Sequence, residues 1–165
     1  MNRTWRLLAI LSLAAGLACA GPAGGAGGVL IRNGDFETNQ PGRTVDCWQP
    51  TPPYPAAYEV IEDAAGARSG KRFLRLTPTR PGTEGNLYQF VARVEGAKRY
   101  AATLWARGRG STLRVFLYRY GPDLKFLESR HSEPLALTEE WQQCRLEYAI
   151  DPEVKNLACA IHVSG

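Results

Sequence analysis

The fold class is decided by the stretch RYAATLWARGRGSTLRVFLYRY at residues 99–120. Apolar and polar residues alternate on both sides of Gly108-Arg109-Gly110, and this period of two is typical of β-strands. Glycine tolerates the backbone angles of a tight turn, so the sequence predicts a hairpin here. The turn does not follow the glycine pattern of a dinucleotide-binding loop, which argues against phosphate binding at this point.

Comparable segments recur along the chain about every ten residues, bounded by Gly, Pro, Asn or Asp. The predicted strands are at 57–62, 72–77, 86–94, 99–107, 112–120, 124–130, 141–150 and 157–163. No amphipathic helix pattern of useful length accompanies them. The sequence therefore predicts an all-β domain at 29–165, a jelly-roll β-sandwich of about eight or nine antiparallel strands.

The N-terminal residues have the pattern of an export signal. Arg3 and Arg6 form a basic start, an apolar run follows at 7–17, and Ala18-Cys19-Ala20 has the small residues of a cleavage site. We predict a signal peptide at 1–20, a flexible glycine-rich leader at 21–28 and a secreted or periplasmic protein. A lipoprotein anchored through Cys19 is the less favoured alternative, because no large aliphatic residue stands three positions before that cysteine.

The composition is that of a globular domain, with 44% of the 165 residues hydrophobic and 22% charged. Residues 29–165 suffice for the core of one domain but not for a full (β/α)8 barrel. The net charge of +4 includes both arginines of the predicted signal, and no polybasic run follows it, so nucleic acid is a poor candidate partner. The apolar run at 7–17 is too short for a transmembrane segment.

Cleavage after Ala20 would leave three cysteines, Cys47, Cys144 and Cys159, which cannot all pair within one chain. An exported protein permits one disulfide and one free thiol. Cys144 and Cys159 fall on predicted inward faces and are one candidate pair. The pairing stays open because it depends on which strands are neighbours.

Catalytic motifs are not found in the sequence. His131 and His162 belong to no HExxH or zinc-binding spacing, and no GxSxG nucleophile elbow occurs. Glu139-Glu140 is the one adjacent carboxylate pair that precedes a tryptophan, and it is typical of a solvated turn. We predict a domain without enzymatic activity.

Alternation along the strands assigns large aromatic residues to faces that should contact water. In the strand at 112–120, Leu113, Val115 and Leu117 share the core face, whereas Phe116 and two tyrosines share the opposite one. Sugar rings present apolar C–H faces edged by hydroxyls, which suit flat aromatic rings flanked by planar polar groups. The candidate carbohydrate-binding residues are Trp105, Tyr118, Tyr120, Gln89, Arg107, Arg145, Glu147, Trp48 and Tyr54.

Two of these candidates lie in loops. Proline neighbours Tyr54 on both sides and stands two residues after Trp48, so backbone rigidity would hold these rings in place. The competing interpretation for Trp48 is a plug that closes one end of the sandwich. For the strand aromatics it is ordinary packing, since β-strands are enriched in aromatic residues.

The opening of the predicted domain, NGDFE at 33–37 with Trp48 after it, resembles the start of CenC-type carbohydrate-binding modules, which are galactose-binding-like jelly rolls. Further segments match in the expected order, at 69–76, 87–89, 100–107 and 138–144. The resemblance covers nearly all of the chain after the leader.

The resemblance implies a structural calcium ion, a hard cation that takes six to eight oxygen ligands. The implied ligands are Glu37, Asp35 and the backbone carbonyls around Ser69. It also implies an aspartate in a further strand beyond Val163, which this sequence does not contain. We therefore expect a sandwich one strand short, either as a piece of a longer protein or with its sheet edge covered in another way.

Three hypotheses for function follow. The first is a secreted, non-catalytic module that docks a polysaccharide or oligosaccharide, with a glycoside hydrolase as an appended or partner enzyme. The alternative is a cell-surface or envelope accessory domain that contacts proteins without sugar affinity, since fold does not determine function. A small hydrolase or lyase is the third, and it would need two acids, or an acid and a histidine, converging in a groove.

Overall fold

The computed structural model describes residues 8–12, 18–20, 31–41, 47–50, 56–78, 82–92, 94–95 and 98–165. The predicted leader at 21–28, part of the predicted signal peptide and Tyr54 lie outside these residues. The strands are β1 (Leu8–Ser12), β2 (Ala18–Ala20), β3 (Gln49–Pro50), β4 (Ala56–Glu62), β5 (Arg72–Pro78), β6 (Glu84–Ala92), β7 (Arg99–Arg109), β8 (Thr112–Tyr120), β9 (Phe126–His131), β10 (Leu135–Ala136), β11 (Gln142–Ala149) and β12 (Asn156–Ser164). Within the described ranges, no helix has the length and apolar character needed to cross a membrane.

The strands form two antiparallel sheets. Sheet A has the order β11-β7-β1-β5-β4, with β2 also pairing with β7. Sheet B has the order β10-β8-β12-β6-β3, with β9 also pairing with β8. The predicted all-β class is confirmed, and the eight predicted strands correspond to β4 to β9, β11 and β12 with ends that agree to within two residues.

One local prediction is wrong. The turn after β7 was expected to close a hairpin, but β7 belongs to sheet A and β8 to sheet B, and no pairing between them occurs among the described strands. Gly110 has φ of +67°, so the residue is glycine for the expected conformational reason. The chain nevertheless uses this turn to cross from one sheet to the other.

The core lies between the sheets, on the faces that alternation predicts. Leu113, Val115 and Leu117 of β8 are at most 1% exposed, and Leu157 and Ile161 of β12 are fully buried. The other predicted core residues are also buried in this cluster, with two at its margin: Leu104, Ala106, Cys144, Ile150, Cys159 and Val163 inside, and Leu146 and Tyr148 half-buried against it.

Cys47, Cys144 and Cys159 are free thiols in this structure. Cys144 of sheet A and Cys159 of sheet B point into the core, whereas Cys47 is exposed. Burial, with a smaller contribution from Cys144, raises the pKa of Cys159 to about 12. Since the thiolate is the reactive form, Cys159 is inert near neutral pH.

Two strands come from the predicted signal peptide. β1 lies in the middle of sheet A, where its register joins Leu11 to Leu74 of β5 and to Ala106 of β7. β2 pairs with the first residues of β7. Cleavage after Ala20 stays a prediction, and it would remove both strands.

Candidate functional site

The outward surface of sheet B around its central strand β12 is the candidate site, and we call it the β12 face. β12 lies between β8 and β6, in a register that aligns Arg114, His162 and Asn86 in one row across the three strands. The outward residues are Thr112, Arg114, Phe116, Tyr118 and Tyr120 on β8, Ser164, His162, Ala160, Ala158 and Asn156 on β12, and Glu84, Asn86, Tyr88 and Phe90 on β6. Eight residue steps along β8 give the face a length of about 27 Å.

Small side chains occupy the middle of the face and rings flank them. Ala158 and Ala160 point outward yet are at most 1% exposed, because the aromatic side chains of the adjacent strands lean over them. Neighbouring rings are in contact along the face, with centroid separations of 5.9 Å for Phe116–Tyr118, 6.5 Å for Tyr118–Phe126, 5.9 Å for Tyr120–Phe126 and 5.8 Å for Phe90–Tyr120. The result is a connected aromatic surface.

Two depressions open on this surface, and Tyr118 lines both. The larger has a volume of about 530 Å³ and lies at the polar end; its lining is Glu84, Thr112, Arg114, Phe116, Tyr118, Ser129, His162 and Ser164. The smaller has a volume of about 250 Å³ and is lined by Asn86, Tyr88, Tyr118, Tyr120 and Ala158. The larger volume falls within the usual range of small-molecule sites.

His162 is the centre of the polar network in the larger depression. The Asn86 amide N–H donates to His162 Nε2 over 2.6 Å, and the Tyr118 hydroxyl lies 3.1 Å from the same nitrogen. Because Nε2 accepts, the proton of neutral His162 sits on Nδ1, whose nearest carboxylate oxygen is Glu84 Oε2 at 3.6 Å. The Phe116 ring packs on the imidazole with centroids 4.1 Å apart.

Burial changes the titration of two groups on this face. Desolvation is the largest effect on His162 and lowers its pKa, a shift to which the Arg114 charge adds and which Glu84 opposes. Desolvation also raises the pKa of Tyr120, with Tyr88 adding to the shift. Near neutral pH the face therefore presents a neutral imidazole at His162 and a neutral phenol at Tyr120.

Four of the predicted binding residues lie on the opposite side of the sandwich, on the outward face of sheet A. Trp105 and Arg107 of β7 are there with Arg145 and Glu147 of β11. The Arg68 guanidinium covers the Trp105 ring, with Cζ 3.9 Å from the ring centroid. These residues cannot reach a ligand that is bound on the β12 face.

The polar members of that sheet A group already have partners. Arg107 donates from Nη2 to the carbonyl of Gly66 over 3.0 Å, and its Cζ lies 5.0 Å from the Trp141 ring centroid. Arg145 donates to Glu147, and this hydrogen bond is the main reason that the pKa of Glu147 is lowered.

Two further predicted binding residues are buried. Gln89 points inward from β6, is 2% exposed, and exchanges hydrogen bonds of 2.7 and 2.9 Å with the backbone of Arg32. Trp48 is 3% exposed and packs on Phe36 with centroids 6.4 Å apart. Gln89 anchors the opening loop, and Trp48 has the plug position that was the competing interpretation. Of the nine predicted binding residues, Tyr118 and Tyr120 are on the β12 face.

Two of the three predicted metal ligands, Glu37 and Ser69, lie near one another. Glu37 Oε1 accepts hydrogen bonds from the backbone N–H groups of Lys71 and Arg72 at 2.7 and 2.8 Å, beside Ser69. Gly70, with φ of +67°, leaves room for this carboxylate, because a Cβ there would collide with it. Asp35 Oδ1 is used locally and accepts from the backbone N–H of Glu37.

The oxygen ligands that the family resemblance implies do not fit a calcium ion in this arrangement. Glu37 Oε1 already faces two N–H donors, and the Arg72 guanidinium donates to the Glu37 carbonyl over 2.5 Å, so a cation would meet a positive charge in place of a ligand. No group of three or more His, Cys, Asp or Glu side chains suited to a metal occurs in the described part of the chain. Calcium binding remains a prediction of the family resemblance.

Sequence reasoning misses most of the β12 face. Alternation places Arg114, Phe116 and His162 outward without marking them as binding residues, and it does not single out Tyr88 or Phe90. Their signal is the period of two in EGNLYQFVA at Glu84–Ala92, which puts the aromatic residues on one face and Leu87 and Val91 on the other. The neighbour relation of β6, β12 and β8 carries no signal in a single sequence.

Comparison with known proteins finds likeness in structure only. No protein family model matches the chain, and no curated protein matches it. The enzymatically active domain of bacteriophage CBA120 tailspike protein 4 is similar with a TM-score of 0.65 at 14% identity, over 82% of this chain and 19% of that one. The chain thus spans about a fifth of the length of that domain.

Two carbohydrate-binding modules are also similar in structure. TmCBM61, solved in complex with β-1,4-galactotriose, has a TM-score of 0.62 at 19% identity, over 82% of this chain and 87% of that one. The CBM22-1–GH10 modules of Clostridium thermocellum xylanase 10B, complexed with xylohexaose, have a TM-score of 0.56 at 13% identity, over 73% of this chain and 24% of that one. The chain has the jelly-roll β-sandwich fold of carbohydrate-binding modules.

Proposed function

We propose that this protein is a non-catalytic carbohydrate-binding domain that docks an oligosaccharide or a stretch of polysaccharide on the β12 face. The observation that carries the proposal is the pair of depressions that share Tyr118, where connected rings stand beside hydroxyl, amide and imidazole groups. The likeness in fold to modules solved with β-1,4-galactotriose and xylohexaose supports it.

The two ends of the face offer the two kinds of contact that a sugar needs. Tyr118, Tyr120 and Phe90 provide ring surface for apolar C–H groups. At the other end His162 and Asn86 provide polar atoms for hydroxyls. Asn86 lines the smaller depression, and its Oδ1 has no hydrogen-bond partner among the described residues.

The lining supports binding without catalysis. Glycoside hydrolysis uses two carboxyl groups on either side of the scissile bond. Glu84 is the one carboxylate among the described residues that line the two depressions, and it lies beside His162. A glycoside hydrolase would then be the appended or partner enzyme for which such a domain provides attachment to the substrate.

Isothermal titration tests the proposal with β-1,4-galacto- and xylo-oligosaccharides and soluble polysaccharides. We expect saturable heats with at least one glycan and a loss of about tenfold or more in affinity in Y118A, because ring truncation removes contact area in both depressions. W105A is the matched control, since it removes an aromatic residue from the opposite face. Absence of heat with every glycan, or an equal loss in W105A, would contradict the proposal.

The same titrations address calcium. The oxygens of Glu37 already accept hydrogen bonds from backbone N–H groups and from the Arg72 guanidinium. We therefore expect the affinity for glycan to be the same in calcium and in EDTA. A calcium-dependent affinity that E37Q abolishes would instead support the ligand set implied by the family resemblance.

The alternative function, a domain that contacts proteins, is favoured by one observation. Phe126 and Leu124 are 53% and 57% exposed at the aromatic end of the β12 face, beside Phe90 at 38%. Exposed apolar groups of this kind can mark a protein interface. In that case no glycan would give heat with the wild type, and F126A would weaken a protein complex.

For location we propose export, with removal of residues 1–20. The support is the basic start, apolar run and Ala18-Cys19-Ala20 of the sequence. N-terminal sequencing of the chain recovered from the periplasm or medium of a bacterial host should find Gly21 first. Recovery of the chain with Met1 or with an acylated Cys19 would contradict this.

A further inference from the structure

The polar end of the β12 face holds an arginine whose guanidinium has no partner among the described residues. Arg114 is exposed, lines the larger depression, and makes no hydrogen bond or ion pair with any residue that the structure describes. Its neighbour across the strand is His162, which is neutral near pH 7 and cannot compensate the charge. Arg114 is thus a cation beside aromatic rings that forms no ion pair among the described residues, in a depression that Glu84 also lines.

Several arginines of sheet A are paired across strands. Arg72 of β5 meets Glu62 of β4 at 2.7 Å, Arg75 meets Glu59 at 3.5 Å, and Arg99 of β7 meets Glu147 of β11 at 4.0 Å. Each carboxylate stands on the neighbouring strand. Arg114 differs from these because the adjacent position on β12 is a histidine, so the neighbouring strand offers it no carboxylate and its donors face the open depression.

The acidic residue of the same depression does not fill that role. Glu84 stands on β6, on the far side of β12 from Arg114, and its carboxylate lies 3.6 Å from His162 Nδ1. No ion pair joins Glu84 to Arg114 in the described structure. The Glu84 carboxylate thus faces the His162 imidazole, and the Arg114 guanidinium is left able to bind a ligand.

The groups around Arg114 suit a carboxylate that is attached to a sugar ring. Guanidinium binds carboxylate through two parallel hydrogen bonds, which a neutral hydroxyl cannot accept. The hydroxyls of Thr112, Ser129 and Ser164 line the same depression and can donate to the remaining lone pairs. Phe116 provides ring surface beside them.

From this geometry we infer that the glycan bound on the β12 face carries a uronic acid, and that its carboxylate pairs with Arg114. The inference rests on the proposed function, since it names the chemical class of ligand for the same face. The aromatic end binds the neutral part of the chain, and the polar end selects the acidic residue.

The test compares each acidic ligand with its own neutral form. The probes are short oligogalacturonate, oligomannuronate and glucuronic-acid-substituted xylo-oligosaccharide, each before and after reduction of its carboxyl groups to primary alcohols. For at least one pair we expect the acidic form to bind about tenfold more tightly, as one charge-assisted bidentate contact allows. Added salt should reduce this preference.

Variants assign the preference to one residue. R114Q should abolish the difference in affinity between the acidic and the reduced form of the same glycan, each measured on that variant. R145Q is the matched control, because Arg145 is an exposed arginine on the opposite face that is already paired with Glu147. Circular dichroism and the melting temperature establish that both variants are folded.

Two negative results have separate meanings. Equal binding of the acidic and reduced forms in every pair, or an acidic preference that survives in R114Q, overturns this inference and leaves sugar binding standing. Failure of every probe and every neutral glycan to bind overturns the proposed function, and the inference falls with it.

Discussion

His162 connects the strands of the β12 face through a single side chain. Asn86 approaches it from β6, Tyr118 and Arg114 from β8, and Glu84 from β6 at the polar end. Its Nε2 accepts hydrogen bonds only while it is unprotonated. Protonation would therefore set an imidazolium N–H against the Asn86 amide and place a second positive charge next to Arg114.

This arrangement predicts how stability depends on pH. Desolvation lowers the pKa of His162 below its ordinary value of 6.5, so over a range of pH the unfolded chain binds this proton and the folded chain does not. The contribution is fully present above about pH 6.5 and is lost as the pH falls toward the folded-state pKa. We expect the free energy of unfolding from urea titration to fall from about pH 7 to about pH 5, and to fall less in H162Q.

His131 provides the matched control. It is exposed on β9 and its ring also packs on Phe116, with centroids 5.1 Å apart. H131Q should follow the wild-type pH dependence. A pH dependence in H162Q equal to that of the wild type would show that the proton is not linked to folding through His162.

At the scale of elements, β1 determines whether sheet A is continuous. β5 and β7 each pair with β1, and no direct pairing between them is present in the described structure. Without β1, the backbone N–H and C=O groups on the edges of β5 and β7 that face it would lose their hydrogen-bond partners. Unpaired buried backbone groups are costly in free energy. The inner faces of β5 and β7, with Leu74 and Ala106, would also lose a neighbour.

A chain that begins at residue 21 should therefore be less stable than a chain that begins at residue 8. We expect its melting temperature to be lower by about 10 °C or more, since each kcal/mol changes the melting temperature of a domain of this size by about 2–4 °C. Increased binding of a hydrophobic dye should accompany the change. Equal melting temperatures would show that β5 and β7 can close on each other without β1.

At the scale of the whole molecule, the sandwich has two outward faces that cannot act together. Trp105 on sheet A and Tyr118 on sheet B belong to strands that follow each other directly in the sequence, yet they lie on opposite sides of the core. The reason is the turn at Gly110, which takes the chain across the sandwich. One local connection thus separates residues that the sequence predicts to form a single binding surface.

Local patterns suffice to predict the fold class and the core of this protein. The alternation in β8 assigns Leu113, Val115 and Leu117 to the core, and glycine marks the turn at Gly110. The candidate site is less predictable, because it depends on strand order. Gln89 was predicted on the outward face but points inward, because alternation along a single strand does not show which of its two faces is the inner one.

The position of β12 also has a consequence for the order of assembly. β6 and β8 are both joined to β12, although β12 follows them in the chain by more than thirty residues. During synthesis, the strands that carry Tyr88 and Tyr118 leave the ribosome before the strand that aligns them. Sheet B and its depressions therefore form late and through long-range contacts, and contacts of this kind are associated with slow folding.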